Sequence, residues 1–377
     1  MVASLRIALI APPWFTVPPQ GYGGVERVVS ALAEGLAAKG HDVTLFAPAG
    51  SVTAARLVSP CGGPRPAELG DWMVEAVQVA AAYGRHREFD IIHDHTAVGP
   101  IVASALSTPV VHTVHGHVFP AAEALYRQMS PHLHYVCISH DQRSSMPPGA
   151  CATVIYNGID TARYAYESGA SEGDDYLLFV GRMSPEKGIL DAIEIARRSG
   201  RRLVVLAKVN EPCEQDYFSN VVRPQFAGLD VELFEQPAEE VKVRAYQGAA
   251  ATLFPIHWRE PFGLVMAESM SCGTPVIAYG RGSVPELVDD GRTGFVCDSI
   301  DSAVAAVSKL PVIDRRECRR RVESRFSTRE MVNLHERLYF ELLAARPQDG
   351  VAGLVTETPF EPELTPSLIA PGEHSAA

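Results

Sequence analysis

The chain has 377 residues, of which 46% are hydrophobic and 21% charged, and its formal net charge is −12. That length accommodates two domains with separate cores, and the negative balance argues against a general nucleic-acid binder. Seven cysteines without a Cys-x-x-Cys pair argue against a zinc site or a disulfide frame and fit reduced thiols in a cytoplasmic protein, while no run reaches the roughly 18 apolar residues of a membrane span.

Residues 5–11 read as a first buried strand, too short for the core of a signal peptide. A proline-rich loop follows and ends in Gly21, Tyr22, Gly23 and Gly24. Val25, Val28, Val29, Leu32 and Leu36 then recur at helical spacing up to Gly40, and residues 43–46 form a second strand. A glycine-bearing loop at a helix N-terminus is a natural phosphate cradle. It is not G-x-G-x-x-G, and the second strand ends without the acid that holds an NAD ribose, which disfavours a dehydrogenase.

Helices over 69–83 and 98–106 alternate with strands over 89–93, 109–114 and 135–138, the pattern of a doubly wound parallel sheet. Histidines are dense here, at His93, His95, His112, His115, His117, His132, His134 and His140. They lack a His-Glu-x-x-His helix or a carboxylate companion beyond Asp94, so no metal is expected. The small polar stretch over 167–175 reads as an interdomain linker.

The second half repeats the plan, with strands over 176–180, 203–207 and 231–234 and helices over 188–198, 214–226 and 238–248. Directly after its first strand comes GRMSPEKG, which sets Arg182 and Lys187 in a loop at the sheet's carboxyl edge. Two cations there suit a diphosphate, arginine as a fork and lysine as a point charge; Lys208, at the end of the next strand, points to the same edge.

The most informative stretch is TLFPIHWREPFGLVMAESMSCGTPVIAY, residues 252–279. It reads as strand, loop, helix and parallel strand, with Pro261 at the first helical position, Phe262 to Cys272 helical and Gly273 as the stop. That reading puts Glu260 at the helix mouth and Glu268 about 10 Å further along. Between them the open N–H groups of Pro261, Phe262, Gly263, Leu264 and Val265, proline excepted, offer an anion site. The whole reads as a nucleotide-sugar pocket, with sugar at Glu260, diphosphate at the turn and ribose at Glu268.

The Glu260 and Glu268 pair inside EPFGLVMAESMSCGTPVIA resembles the donor-site motif of the retaining glycosyltransferases of family four, which have the GT-B fold. The matching continues in GGVERVV, HTVHG, VIYNGID, GRMSPEKG and RGSVPELVDDGRTGFV, over roughly residues 5–343. The resemblance implies two Rossmann-like domains, 1–168 for the acceptor and 174–325 for the donor, and a closing helix over 328–345 that returns to the first domain; the Pro, Glu, Ser and Gly of 346–377 read as a mobile tail. It implies that Gly23 and Gly24 pass near the donor phosphates or the acceptor, that His115 meets the donor sugar, and that Arg182 and Lys187 bind the leaving diphosphate. His95 and His117 are weaker candidates for acceptor contacts. A hexose would move from a nucleoside-diphosphate sugar, UDP by family habit, to a hydroxyl-bearing small-molecule, glycan or lipid-linked acceptor with retention and without a metal. An epimerase on the same fold and a non-catalytic nucleotide-sugar-binding protein stay open. Glu286 is expected to cap or support a turn, and the basic run 314–325 is expected to be a solvated helix face, with contact to an acidic membrane surface as the alternative.

Overall fold

The apolar runs become two parallel sheets in a computed structural model that describes residues 4–21, 23–103, 106–130, 133–167 and 175–345. The expected linker falls mostly on residues 168–174 and the expected tail on 346–377; both lie outside the described residues. The first sheet contains β1 (Arg6–Ile10), β2 (Asp42–Phe46), β3 (Arg56–Val58), β4 (Ile91–Asp94), β5 (Val110–Val114), β6 (His134–Cys137) and β7 (Ala152–Val154), in the order β3-β2-β1-β4-β5-β6-β7. Its helices are α1 (Gly24–Ala38), α2 (Trp72–Tyr83), α3 (Gly99–Ala103), α4 (Pro120–Met129) and α5 (His140–Ser144). The edge strands β3 and β7, three residues each, and the helix α4 have no counterpart among the elements expected from the sequence.

The second half brings β8 (Tyr176–Arg182), α6 (Ile189–Ser199), β9 (Arg202–Lys208), α7 (Pro212–Tyr217), β10 (Val231–Glu235), α8 (Glu239–Gly248) and β11 (Ala251–Phe254). It continues through α9 (Leu264–Ser271), β12 (Val276–Tyr279), α10 (Val284–Leu287), β13 (Gly294–Cys297), α11 (Ile300–Lys309), α12 (Arg315–Arg325) and α13 (Thr328–Ala344). Its sheet runs β10-β9-β8-β11-β12-β13, all parallel. In both sheets the strand order reverses beside the first strand, between β1 and β4 and between β8 and β11. Loops leaving those strands at their carboxyl ends diverge and open a crevice, which is where open α/β sheets bind ligands.

Two sequence expectations fail here for backbone reasons. The single helix expected over 214–226 is α7 followed by a π turn at Phe218–Val222 and a 3₁₀ turn at Arg223–Phe226. Pro224 has no N–H and cannot continue the ladder. The helix expected to begin with Pro261 and Phe262 begins at Leu264, because Gly263 takes a left-handed conformation, φ 80°, as its N-cap. Pro261 is therefore a loop residue, Glu260 does not sit on the helix, and the helical rise says nothing about its separation from Glu268.

α13 packs against α1: the pro-chiral hydrogen of Gly35 faces Val332, whose Cγ2 would lie 2.4 Å from a Cβ built there. Met331, Val332, Leu338 and Tyr339 join the core formed by α1, β1 and β2.

The basic run is α12, and much of it turns inward, contrary to the solvated face expected of it. Arg315 donates to the carbonyls of Ala249 and Gln247, each at 2.9 Å, and Arg319 to those of Tyr164 at 2.8 Å and Ser271 at 3.0 Å. Arg321 reaches the carbonyls of Leu287 and Glu286. These guanidiniums satisfy carbonyls left over at helix ends and loops, a task for which five fixed N–H donors are suited. Arg315→Ala is expected to destabilise the protein by about 3 kcal/mol, from the loss of charge-assisted bonds and orphaned acceptors. Urea unfolding of the purified variant checks it; a change within about 0.5 kcal/mol of wild type, the ordinary range for a solvated position, is the contrary result.

Candidate active site

The loops at the two switch points enclose a cavity of about 660 Å³, lined from both halves of the chain. From the first half come Gly23 and Gly24 at the start of α1, Arg27 one turn on, His115 after β5, and Asn157. From the second come Arg182 and Lys208 at the ends of β8 and β9, Lys187, Glu260, Pro261, Phe262 and Gly263 from the loops, and Leu264, Val265 and Glu268 from α9. Every residue singled out from the sequence as a donor-site candidate therefore faces one space. His95 and His117 do not line it: His95 is buried behind His115, and His117 is exposed elsewhere.

Glycines set the shape. Gly23 has φ 147°, and a Cβ there would lie 2.8 Å from Pro19 Cβ and 2.9 Å from Glu26 Oε2. Across the crevice, a Cβ on Gly24 would stand 3.2 Å from Leu264 Cδ1, so the start of α1 approaches the start of α9 closely. No side chain caps α9, whose first residues face the cavity. The unsatisfied N–H groups of a first helical turn carry partial positive charge, which favours an anion there.

The two acids differ in what they have left to offer. Glu260 Oε2 receives Lys187 Nζ at 2.9 Å and Trp258 Nε1 at 3.1 Å. Lys187 Nζ also stands 4.5 Å from the centroid of the Trp258 ring. No protein donor among the described residues reaches Glu260 Oε1, so that oxygen is open to a hydroxyl-bearing ligand. Glu268, by contrast, receives Tyr246 Oη and Lys242 Nζ, both at 3.0 Å, on Oε2, while the single proton of Tyr164 Oη, 2.8 Å from Oε1, is shared between Glu268 and Glu239. A carboxylate offers about four lone-pair sites, so roughly one or two are left for a ligand.

The cations are also organised by acids. Arg182 donates to Glu214 Oε1 at 3.2 Å and Glu186 Oε1 at 2.9 Å, so its fork engages two glutamates rather than standing clear as the sequence suggested. Lys208 pairs with Arg182 in strand register and is half-buried. Burial, only partly offset by Glu214, pulls its ammonium down to about 8. Its charge is thus present below about pH 8 and is lost as pH rises through that value. If Lys208 contacts the diphosphate, kcat/KM, which reports the free enzyme, falls above about pH 8. Lys208→Arg is expected to abolish that limb, since guanidinium stays charged; a pH profile of wild type flat to about pH 9.5 is the contrary result.

Several site residues carried no sequence signal. Gln142, buried on α5, donates to the carbonyls of Val114 at 2.9 Å and Gly116 at 2.7 Å, pinning the backbone on both sides of His115. Arg27 pairs with Glu239 Oε2 at 3.2 Å, tying α1 to α8, and Lys242 pairs with Glu239 at 3.1 Å as well as with Glu268. Glu286 is a cap, as expected, but for a helix in the other half: its carboxylate accepts the N–H groups of His140 and Asp141 at 2.8 Å each, and Tyr156 Oη at 2.8 Å. Arg259 joins this tie by pairing with Asp141 at 2.6 Å. Among the described residues no group of three His, Cys, Asp or Glu side chains is placed to hold a metal ion.

Two parallel, doubly wound sheets facing across such a cavity define the GT-B class. The chain matches the glycosyltransferase family 4 profile over residues 22–163 and that of the group 1 glycosyl transferases over residues 160–324. It is 28% identical to a glycogen synthase of Mycobacterium tuberculosis, over 89% of this chain and 94% of that one. It is 27% identical to a D-inositol 3-phosphate glycosyltransferase of Acidothermus cellulolyticus, over 81% and 82% of the two chains. The crystal structure of AviGT4, a glycosyltransferase involved in avilamycin A biosynthesis, superposes with a TM-score of 0.68 at 28% identity, covering 91% of this chain and 99% of that one. The protein belongs to the family 4, group 1 glycosyltransferases.

Proposed function

We propose that this glycosyltransferase moves a hexose from a nucleoside-diphosphate sugar, UDP-linked in the favoured case, to a hydroxyl-bearing acceptor with retention of anomeric configuration and without a metal. The observation that carries the reading is the shared cavity, in which Lys187, Lys208, Arg182 and the uncapped start of α9 surround the space between Glu260 and Glu268. The diphosphate seats on those cations and N–H groups, which are preorganised for the negative charge that develops as the anomeric bond breaks. Glu260 accepts sugar hydroxyls on its open Oε1, and Glu268 accepts a ribose hydroxyl on a remaining lone pair. His115 donates to the sugar from the opposite wall.

Burial brings the His115 imidazole down to about 3, so the ring is neutral at working pH and acts as a hydrogen-bond donor rather than as a cation or general acid. Among the described residues no carboxylate other than Glu260 and the largely occupied Glu268 and Glu239 lines the cavity. With Glu260 assigned to the sugar hydroxyls, no other open carboxylate remains for the anomeric carbon, and front-side attack assisted by the departing phosphate needs none, unlike a covalent glycosyl-enzyme intermediate. Thermal shifts with UDP-, GDP- and ADP-glucose test the donor, because a ligand that binds the folded form raises Tm. A single nucleotide series raising Tm, followed by product anomers of unchanged configuration in NMR of the transfer mixture, is the expected result. No shift with any nucleoside diphosphate, or inverted product, overturns the reading.

A further inference from the structure

Behind His115 the first half buries a row of imidazoles that the proposed chemistry does not use. His115 Nε2 lies 2.8 Å from His95 Nδ1. The His95 ring packs against His93, tilted by 33° with centroids 4.2 Å apart, and His93 packs against His335, tilted by 34° at 5.1 Å. His93 is held at both nitrogens, Nδ1 by Tyr339 Oη at 2.6 Å and Nε2 by Thr113 Oγ1 at 2.7 Å. It is therefore a fixed floor for the His95 ring. His95 Nε2 is buried with no hydrogen-bond partner among the described residues.

That orphaned nitrogen decides which way the contact with His115 runs. A neutral imidazole carries one N–H and one lone pair. A proton on His95 Nε2 would bury a donor with nothing to receive it, an arrangement that is rare in folded proteins. A proton on Nδ1 instead leaves only a bare lone pair buried and makes the 2.8 Å contact a donation from His95 Nδ1–H to His115 Nε2. His115 Nε2 is then the acceptor, and the ring's own proton sits on Nδ1.

Resting on the glycosyltransferase reading given above, we infer that His95 is a positioning residue that sets the tautomer of His115, so that His115 presents Nδ1–H, and not a lone pair, to the sugar side of the cavity. Gln142 holds the same residue's backbone through Val114 and Gly116, so ring and main chain are fixed independently.

The test separates this from a packing role and from the donor assignment. Two-bond proton–nitrogen spectra of protein labelled with ¹⁵N-histidine, with His115 assigned by its loss in His115→Gln, read the tautomer without any substrate. Wild-type His115 in the Nδ1–H form is expected; the Nε2–H form overturns the inference even if every variant misfolds. His95→Phe keeps an aromatic ring but has no donor, whereas His95→Asn keeps an N–H close to the place of Nδ1. Loss of the fixed tautomer in His95→Phe is expected with kcat down roughly 10- to 100-fold, by analogy with removing the partner that orients a metal-bound histidine. The donor KM stays near wild type, and His95→Asn recovers the tautomer and most of kcat. An unchanged His115 tautomer in His95→Phe, or equal losses in the Phe and Asn variants, overturns it. Failure to bind any nucleotide sugar with the tautomer intact would instead count against the donor reading.

Discussion

Replacing Lys187 with methionine is expected to lower kcat by roughly two to three orders of magnitude, the cost of removing one preorganised donor to a developing anion. Among the described cations of the cavity, Lys187 is the one that pairs with Glu260, the acid proposed to orient the sugar: its Nζ is 2.9 Å from Glu260 Oε2 and 4.5 Å from the centre of the Trp258 ring. The ring and the carboxylate hold the ammonium in place before substrate arrives, so little reorganisation remains at the moment of bond cleavage. Methionine keeps the length and the contact with Trp258 but removes the charge, and it leaves Glu260 with Trp258 Nε1 as its remaining partner. The deficit therefore falls on kcat more than on donor KM, as befits an interaction that strengthens in the transition state. Steady-state kinetics of donor consumption with the acceptor saturating decide it. A kcat within about fivefold of wild type would remove Lys187 from the leaving-group site, since about 1 kcal/mol is too small for that role.

Gly188→Ala is expected to cost about 3 to 5 kcal/mol of stability, the range reached when backbone strain and overpacking combine. Gly188 caps α6 at φ 74°, and it makes the turn that delivers Lys187 to the cavity. A Cβ there would lie 1.9 Å from the carbonyl oxygen of Pro255 and 2.8 Å from its carbon. Those atoms belong to the loop after β11, whose backbone is held by the His257 N–H donating to the Glu186 carbonyl at 2.8 Å, so they have little freedom to retreat. Gly200, at the other end of α6, supplies the control: its φ is 67° but nothing lies within 4 Å of a Cβ. Gly200→Ala is therefore expected to lose only the conformational term, about 1 to 2 kcal/mol. Urea denaturation of the two variants compares clash with strain directly. Equal losses would mean that the Pro255 contact is not what requires glycine.

Much of the site was legible because its chemistry is packed into short, contiguous motifs. Arg182 ends β8 and Lys187 lies in the turn directly after it, Glu260 to Glu268 share one loop and helix, and parallel strands deliver both segments to the same edge. His115 follows a strand end for the same reason. What could not be read were partners distant in the chain: Tyr164, Tyr246 and Lys242 around Glu268, Arg27 against Glu239, and Glu286 on α5. The state of Arg182 was hidden likewise, because Glu214 reaches it from after the next strand.

The amino-acid order by itself determined the alternation of apolar runs, hence two parallel sheets, and the residue types that collect at their carboxyl edges, because periodicity and turn chemistry act over a few neighbouring residues. Tertiary structure alone decided where the helix behind Glu260 begins, since a left-handed Gly263 is selected by what surrounds it. It also decided that several arginines of α12 point inward and that His95 lies against His115 and not on the cavity wall. Burial, hydrogen-bond saturation and ring packing arise only when segments far apart in sequence meet, and no local pattern encodes them.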